Sequence, residues 1–281
     1  LIKLEAKKNQ TYFIKINSKN AINSIVRLQS NDQFLQSQQF EFTVLGMALG
    51  WVLATAAFFM FIWHFYRFHI TLISALYCIS LLIFIPSFQG QWATWFPQSQ
   101  IWKNEITLIS VMASVVLQIL LTLKLNWTTD NTRNIKRCLK TLLVFNVATT
   151  LIYLFLPSGV MSLLSLSTIV ISNIVLIFIL LFAKSEHERA QFFLLIGHNV
   201  IAFGILLSIL TTHNFLAFDF LHAWAAIILP LTMIICTIFA NLSVIKLYRE
   251  KREQQVNSSD IILPAANTLV ACCFRFRFRF R

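Results

Sequence analysis

Charge is scarce in this 281-residue chain: 12% of its residues are Asp, Glu, Lys or Arg, about half the roughly 25% of an ordinary soluble domain. With 57% apolar residues and a mean hydropathy of +0.71, that excludes a soluble globule. Glycine and proline are also few, six and five, which excludes collagen-like and proline-rich low-complexity chains. No cysteine precedes Cys78 and no two show Cys-x-x-Cys spacing, so neither a disulfide framework nor a structural zinc site is expected. His-Glu-x-x-His, Gly-x-Ser-x-Gly and a Gly-rich phosphate loop are all missing. The chain is therefore expected to be no enzyme and to carry no cofactor or metal.

What is present is a series of apolar runs: Thr43 to Phe65, Ile70 to Phe88, Ile106 to Leu123, Thr141 to Leu156, Val160 to Ala183, Gln191 to Leu210 and Ala223 to Ile245. Runs near 20 residues are what an α-helix needs to cross a bilayer, so the sequence predicts an all-α membrane protein, a seven-transmembrane-helix bundle over residues 43–245. The fourth run is short, and Lys140 is expected to snorkel at its end. None of the seven contains Asp, Glu, Lys or Arg. Ion pumps and proton-coupled carriers usually need an ionisable residue at mid-membrane, and a retinal protein needs a lysine, which the seventh run lacks.

The net charge of +12 is a topology signal and no nucleic-acid face. Alternate loops hold Arg67, then Lys124, Arg133, Lys136, Arg137 and Lys140, then Lys184 and Arg189, then Lys246, Arg249, Lys251 and Arg252, while the opposite loops hold only Lys103. By the positive-inside rule the C-terminal side is cytoplasmic and the N-terminal side outside. Trp92, Trp95, Phe96 and Trp102 fit an aromatic belt at the outer interface. Residues 1–42 alternate in the strand manner at Ile2 and Leu4, at Tyr12, Ile14 and Ile16, and at Val26 and Leu28. Too few to close a core, they are expected to be the last strands of a larger exported β-sandwich, tied to the first span by Asn31 to Phe42. Residues 246–255 are expected to continue the last helix as a charged cytoplasmic linker. Residues 256–281, ending in four Phe-Arg repeats, are expected to be a disordered or out-of-frame tail.

The strand-rich start, the first two runs "FTVLGMALGWVLATAAFFMFIWHFYRFHITLISALYCISLLIF", the aromatic loop "QGQWATWFPQSQIWKNE", the segment "RAQFFLLIGHNVIAFGILLSIL" and the exit "IFANLSVIKLYREKREQQ" together resemble the bacterial seven-transmembrane receptors with diverse intracellular signalling modules. The resemblance covers about Tyr12 to Gln255. It implies an exported jelly-roll sensor domain for an external ligand, a seven-helix bundle in the bacterial inner membrane, and a cytoplasmic module such as a diguanylate cyclase, histidine kinase or phosphatase. The pattern departs from the family at Pro230-Leu231, where members carry an acidic residue, and at Asn241-Leu242, where they carry Asp-Arg. No effector signature follows Gln255, so that module is expected to be absent from this chain and, in the intact protein, to be encoded downstream in another reading frame.

Polar residues inside the runs are Gln118, Asn146, Asn173, His198, Asn199 and Asn241. Each needs a partner, because hydrocarbon offers none, and interhelical hydrogen bonds worth about 0.6–2 kcal/mol account for them. The sharper expectation is that His198 and Asn199, with Asn146 and Asn173, line a cavity or a switchable contact, and that Pro230 hinges the last span. In the outer loop, His213, Asp219 and His222 are candidates for metal or pH sensing, with plain interfacial polarity as the alternative. The function read from the sequence is a receptor that passes an external signal through the bundle to a cytoplasmic signalling module, its output travelling along the last helix in a homodimer. Alternatives are a small permease or carrier for an uncharged solute, and a non-functional receptor fragment.

Overall fold

The computed structural model describes residues 31–88, 103–125, 132–153, 158–212, 227–251 and 253–254. Seven helices are present among them: α1 (Asn31–Tyr66), α2 (His69–Phe88), α3 (Lys103–Leu123), α4 (Thr132–Tyr153), α5 (Ser158–Phe182), α6 (Glu188–Thr212) and α7 (Ile227–Lys251). The expected sheet, the Trp belt, the outer-loop trio His213, Asp219 and His222, and the tail lie outside the described residues.

Five helical segments are long and apolar enough to cross a membrane by length and composition: Gln38–Tyr66, His69–Phe88, Ile106–Leu123, Leu164–Phe182 and Ile227–Lys251. Two boundaries differ from the sequence reading. The tie expected from Asn31 to Phe42 is helix, continuous with the first span. That stretch holds neither Gly nor Pro, starts at a residue suited to capping, and carries Asp32 in its first turn, where the helix dipole favours an anion. The 36 residues of α1 extend about 54 Å at 1.5 Å per residue, well beyond a hydrocarbon core of about 30 Å. The second difference is α4, which begins at Thr132. Arg133, Arg137 and the two lysines between Ile135 and Thr141 thus form its opening turns instead of a loop, as expected of good helix formers with no breaker among them.

Packing follows the helical period. On α1 the buried stripe is Leu45, Ala48, Val52, Ala56, Phe59 and Ile62, spaced three or four apart as one face of a helix requires. Outward on the same helix are Met47, Leu53 and Phe61, as suits lipid. Buried positions on α2 cover more than one face, among them Ser74, Tyr77, Cys78, Leu81 and Ile85, because it packs against both α1 and α3. Helix α3 also touches α4 and α5, and α5 touches α4 and α6. Against α6, α7 closes tightly: a Cβ added at Gly197 would strike Met233 Sδ, and one at Gly204 would strike Leu229. These two glycines, seven residues apart, share one face and let the helices approach closely.

One end of the bundle collects the cations. The α1–α2 turn there is two residues long, with Arg67 in the left-handed region at φ 54°, its N–H donating to Trp63 O at 2.8 Å and its guanidinium 5.3 Å from the Trp63 ring centroid. Phe68 of this turn stacks on Tyr248 of α7 at 5.3 Å, and Tyr248 in turn meets His187, between α5 and α6, at 5.9 Å. Lys251 Nζ donates to Glu186 Oε2 at 2.9 Å. These contacts clasp two turns and the end of α7 together at this basic end.

Candidate functional site

Membrane helices satisfy most hydroxyls locally, and this chain does so repeatedly. Thr55, Ser74, Thr122, Thr149, Thr168 and Thr237 each donate to the carbonyl four residues earlier, a bond that leaves no donor in the hydrocarbon. Against that background, four side-chain pairs among the described residues stand out because they join different helices. Asn241 Nδ2 on α7 donates to Ser74 Oγ on α2 at 2.8 Å. Gln118 Nε2 on α3 donates to Tyr77 Oη on α2 at 3.2 Å. From α4, Asn146 Nδ2 donates to Ser172 Oγ on α5 at 2.8 Å. His198 Nδ1 on α6 lies 3.3 Å from Asn173 Oδ1 on α5.

All these side chains are buried, with His198 and Asn146 wholly inaccessible. Counted at about 1.5 Å per residue from the basic end, Ser74, Asn241, Asn173 and His198 lie about 9–15 Å deep. The pairs therefore form one polar layer in the half of the bundle nearest the cations. The orientation of its amides is set by their second bonds, since Asn146, Asn173 and Asn241 each also donate to the carbonyl four residues back. Because Asn173 Oδ1 is an acceptor, His198 Nδ1 is the donor and Nε2 carries the lone pair. Four acceptors then have no protein partner: Gln118 Oε1, Asn146 Oδ1, Asn241 Oδ1 and His198 Nε2. Such a layer is costly as it stands.

The residues singled out from sequence divide clearly. Asn146, Asn173 and His198 enter the layer. Asn199 does not: it points outward and donates to Leu195 O at 2.8 Å, because neighbours on a helix are turned about 100° apart. The pairing of His198 with Asn199 in one cavity is therefore corrected. Pro230 is buried in the first turn of the described part of α7; the carbonyl it leaves unbonded belongs to Ala226, so the hinge expected there lies outside the described residues. Tyr77, Ser74 and Ser172 were not singled out, since nothing in a single sequence distinguishes a bridging hydroxyl from a locally bonded one. His187 also escaped notice. The residue is 6% exposed and its Nδ1 has no partner. Burial, the largest effect, holds its pKa below the ordinary value, opposed by Glu186 and reinforced by Lys251.

A family model described as 7TM diverse intracellular signalling matches residues 41–239. The chain belongs to this family. No curated protein matches it. The match takes in the helices from the apolar part of α1 to Phe239 on α7, and with them most of the polar layer. The 7TM diverse intracellular signalling domain is a receptor or sensor domain and not a catalytic family, so the layer is to be read as a packing element of a membrane sensor module. The clasp residues Tyr248 and Lys251 lie beyond the matched segment, on the helix that leaves it.

Proposed function

We propose that this 7TM domain transmits an extracytoplasmic signal to a cytoplasmic signalling module, and that α7 is the output element. The basic end is the cytoplasmic end in this reading, in the bacterial inner membrane, because cations gather there on the α1–α2 turn, on α4, between α5 and α6 and on α7. A ligand or partner outside acts through the segment preceding α1, whose start stands exposed from Asp32 to Thr43 at every side chain described. A diguanylate cyclase or histidine kinase is the kind of module that would receive the output, in a dimer joined along the extension of α7.

The observation that carries this reading is the double hold on α7. Within the bundle Asn241 ties it to α2 through Ser74, and at the end Tyr248 and Lys251 tie it to both turns. Two packings of such a layer differ by a few hydrogen bonds, which is the scale a ligand's differential affinity can bias. The test uses the full chain in bilayer nanodiscs, with Cys78 and Cys236 retained because they are buried and Cys138, Cys272 and Cys273 replaced by serine. Spin labels at positions 67 and 249 report the distance between the α1–α2 turn and the exit of α7. Asn241→Ala and His198→Phe are expected to broaden or shift that distribution. An unchanged distribution in both variants would remove α7 as the output element.

A further inference from the structure

Beside the clasp, between the start of α6 and the exit of α7, lies a groove of about 660 Å³. Its walls change character along α7. Phe239 and Leu242 line it on the membrane side and are about half exposed, while Lys246 and Glu250 line it two and three turns further on. Across from them stand Glu188 and Arg189, on the first turn of α6, where the positive end of a 25-residue helix faces the groove. His187 forms the wall between, buried and with Nδ1 unpartnered. Lys246 and Glu250 are 3.8 Å apart, whereas the neighbouring pairs Lys251–Glu186 and Arg249–Glu253 close to 2.9 Å. The first pair is thus near enough to balance charge but too long for a hydrogen bond, leaving the Lys246 ammonium able to donate and the Glu250 carboxylate able to accept.

We propose that this groove binds one zwitterionic phospholipid of the ethanolamine type. The phosphodiester lies between Arg189, Lys246 and the start of α6. Its ammonium lies toward Glu250 and Glu188, and an acyl chain runs along Phe239 and Leu242. Opposite charges on both walls select a headgroup carrying both signs over a purely anionic one, and the apolar floor selects a lipid over a free phosphate compound. Bound there, the lipid contacts both α6 and α7 beside the clasp. Binding is read without any signal or effector, so its outcome is separate from that of the proposed function.

The test is native mass spectrometry of the full chain, delipidated in detergent and titrated with dioleoyl phosphatidylethanolamine, dioleoyl phosphatidylglycerol, phosphoethanolamine or inorganic phosphate. One phosphatidylethanolamine is expected to be retained in preference to phosphatidylglycerol. Arg189→Gln with Lys246→Gln is expected to lower its occupancy about tenfold or more. Glu250→Gln, an exposed and conservative change, is expected to erase the preference between the two lipids while the fold is retained. Phe239→Ser is expected to weaken both lipids alike. Equal retention of the two lipids by the unaltered chain overturns the proposal. So does full occupancy in the charge variants, and so does retention of phosphoethanolamine or inorganic phosphate as strong as that of the lipid, which would assign the groove to a soluble phosphate.

Discussion

At the scale of single residues, energy in this bundle is concentrated where a side chain serves two helices at once. Asn241 shows it: its amide donates to Thr237 O on its own helix and to Ser74 Oγ on α2, and Ser74 passes the bond to Ile70 O. Asn241→Leu and Ser74→Ala are each expected to destabilise the bundle by about 0.6–2 kcal/mol, and their effects are expected to be less than additive when combined, as chemical unfolding in detergent would measure. Gln191 is a denser case. Its Nε2 donates to Leu180 O and Ala183 O, and its Oε1 accepts from Ser185 N–H, so one side chain closes the end of α5 onto the start of α6. Gln191→Leu is expected to cost about 1–3 kcal/mol by stranding those backbone groups, with Gln191→Glu intermediate.

His187 gives a dependence on pH. Its pKa in the folded chain is lowered by burial from 6.5, so the unfolded chain binds the proton first as pH falls. Its contribution to stability is full above about 6.5 and is lost as pH falls through the folded value, with Glu186, Lys251 and Tyr248 as the groups around it. His187→Phe keeps a ring against Tyr248 and is expected to flatten that part of the stability profile. Legibility at this scale followed chemistry. Asparagines inside apolar runs announce themselves, because hydrocarbon forces them to pair, and three of the four named asparagine and histidine candidates within spans lie in the layer. Which face each occupied was not legible, as Asn199 shows, because an almost uniformly apolar helix has no polar side from which to read orientation.

At the scale of helices, close approach between α6 and α7 rests on absent side chains. Gly197 faces Met233 and Cys236, and Gly204 faces Leu229, whereas Gly46 and Gly50 on α1 face open space. The two pairs are therefore expected to respond oppositely. Gly204→Val and Gly197→Val drive a branched side chain into occupied volume and are expected to destabilise by about 1–3 kcal/mol. Gly46→Ala and Gly50→Ala meet nothing within 4 Å and are expected to be neutral or to gain up to about 1 kcal/mol from helix propensity. Thermal unfolding of the four variants side by side checks the contrast. Helix ends were less legible than helices. The sequence placed the start of the first span at Thr43 and of the fourth at Thr141, the points where hydropathy rises; the chain becomes helical at Asn31 and Thr132. Hydropathy marks where lipid begins, while backbone propensity and caps mark where the helix begins, and between the two lie polar turns that only the second criterion detects.

At the scale of the whole molecule the number of crossings can be argued by parity. Length and composition alone mark five spans, leaving out α4, whose opening turns are basic, and α6. The basic end supplies the missing constraint. Phe68, at the junction of α1 and α2, stacks on Tyr248, which meets His187 between α5 and α6; these points share one level. Starting from that level, α2 leaves it and α3 returns. If α4 failed to cross, α5 would run away from the level at which its C-terminal end is in fact found. The same holds for α6, because α5 and α7 both finish at the clasp, so α6 must carry the chain back. Seven crossings are expected on this count, with α1 entering at the end opposite to the one α7 leaves. In sealed vesicles, a membrane-impermeant maleimide is expected to label Cys138, exposed on α4, from the same side as single cysteines placed at positions 67, 186 and 249, and a cysteine at position 36 from the other side. Labelling of position 36 together with position 249, or of Cys138 opposite to position 67, would mean that the parity is wrong and that α7 does not leave the membrane on the side of the α1–α2 turn.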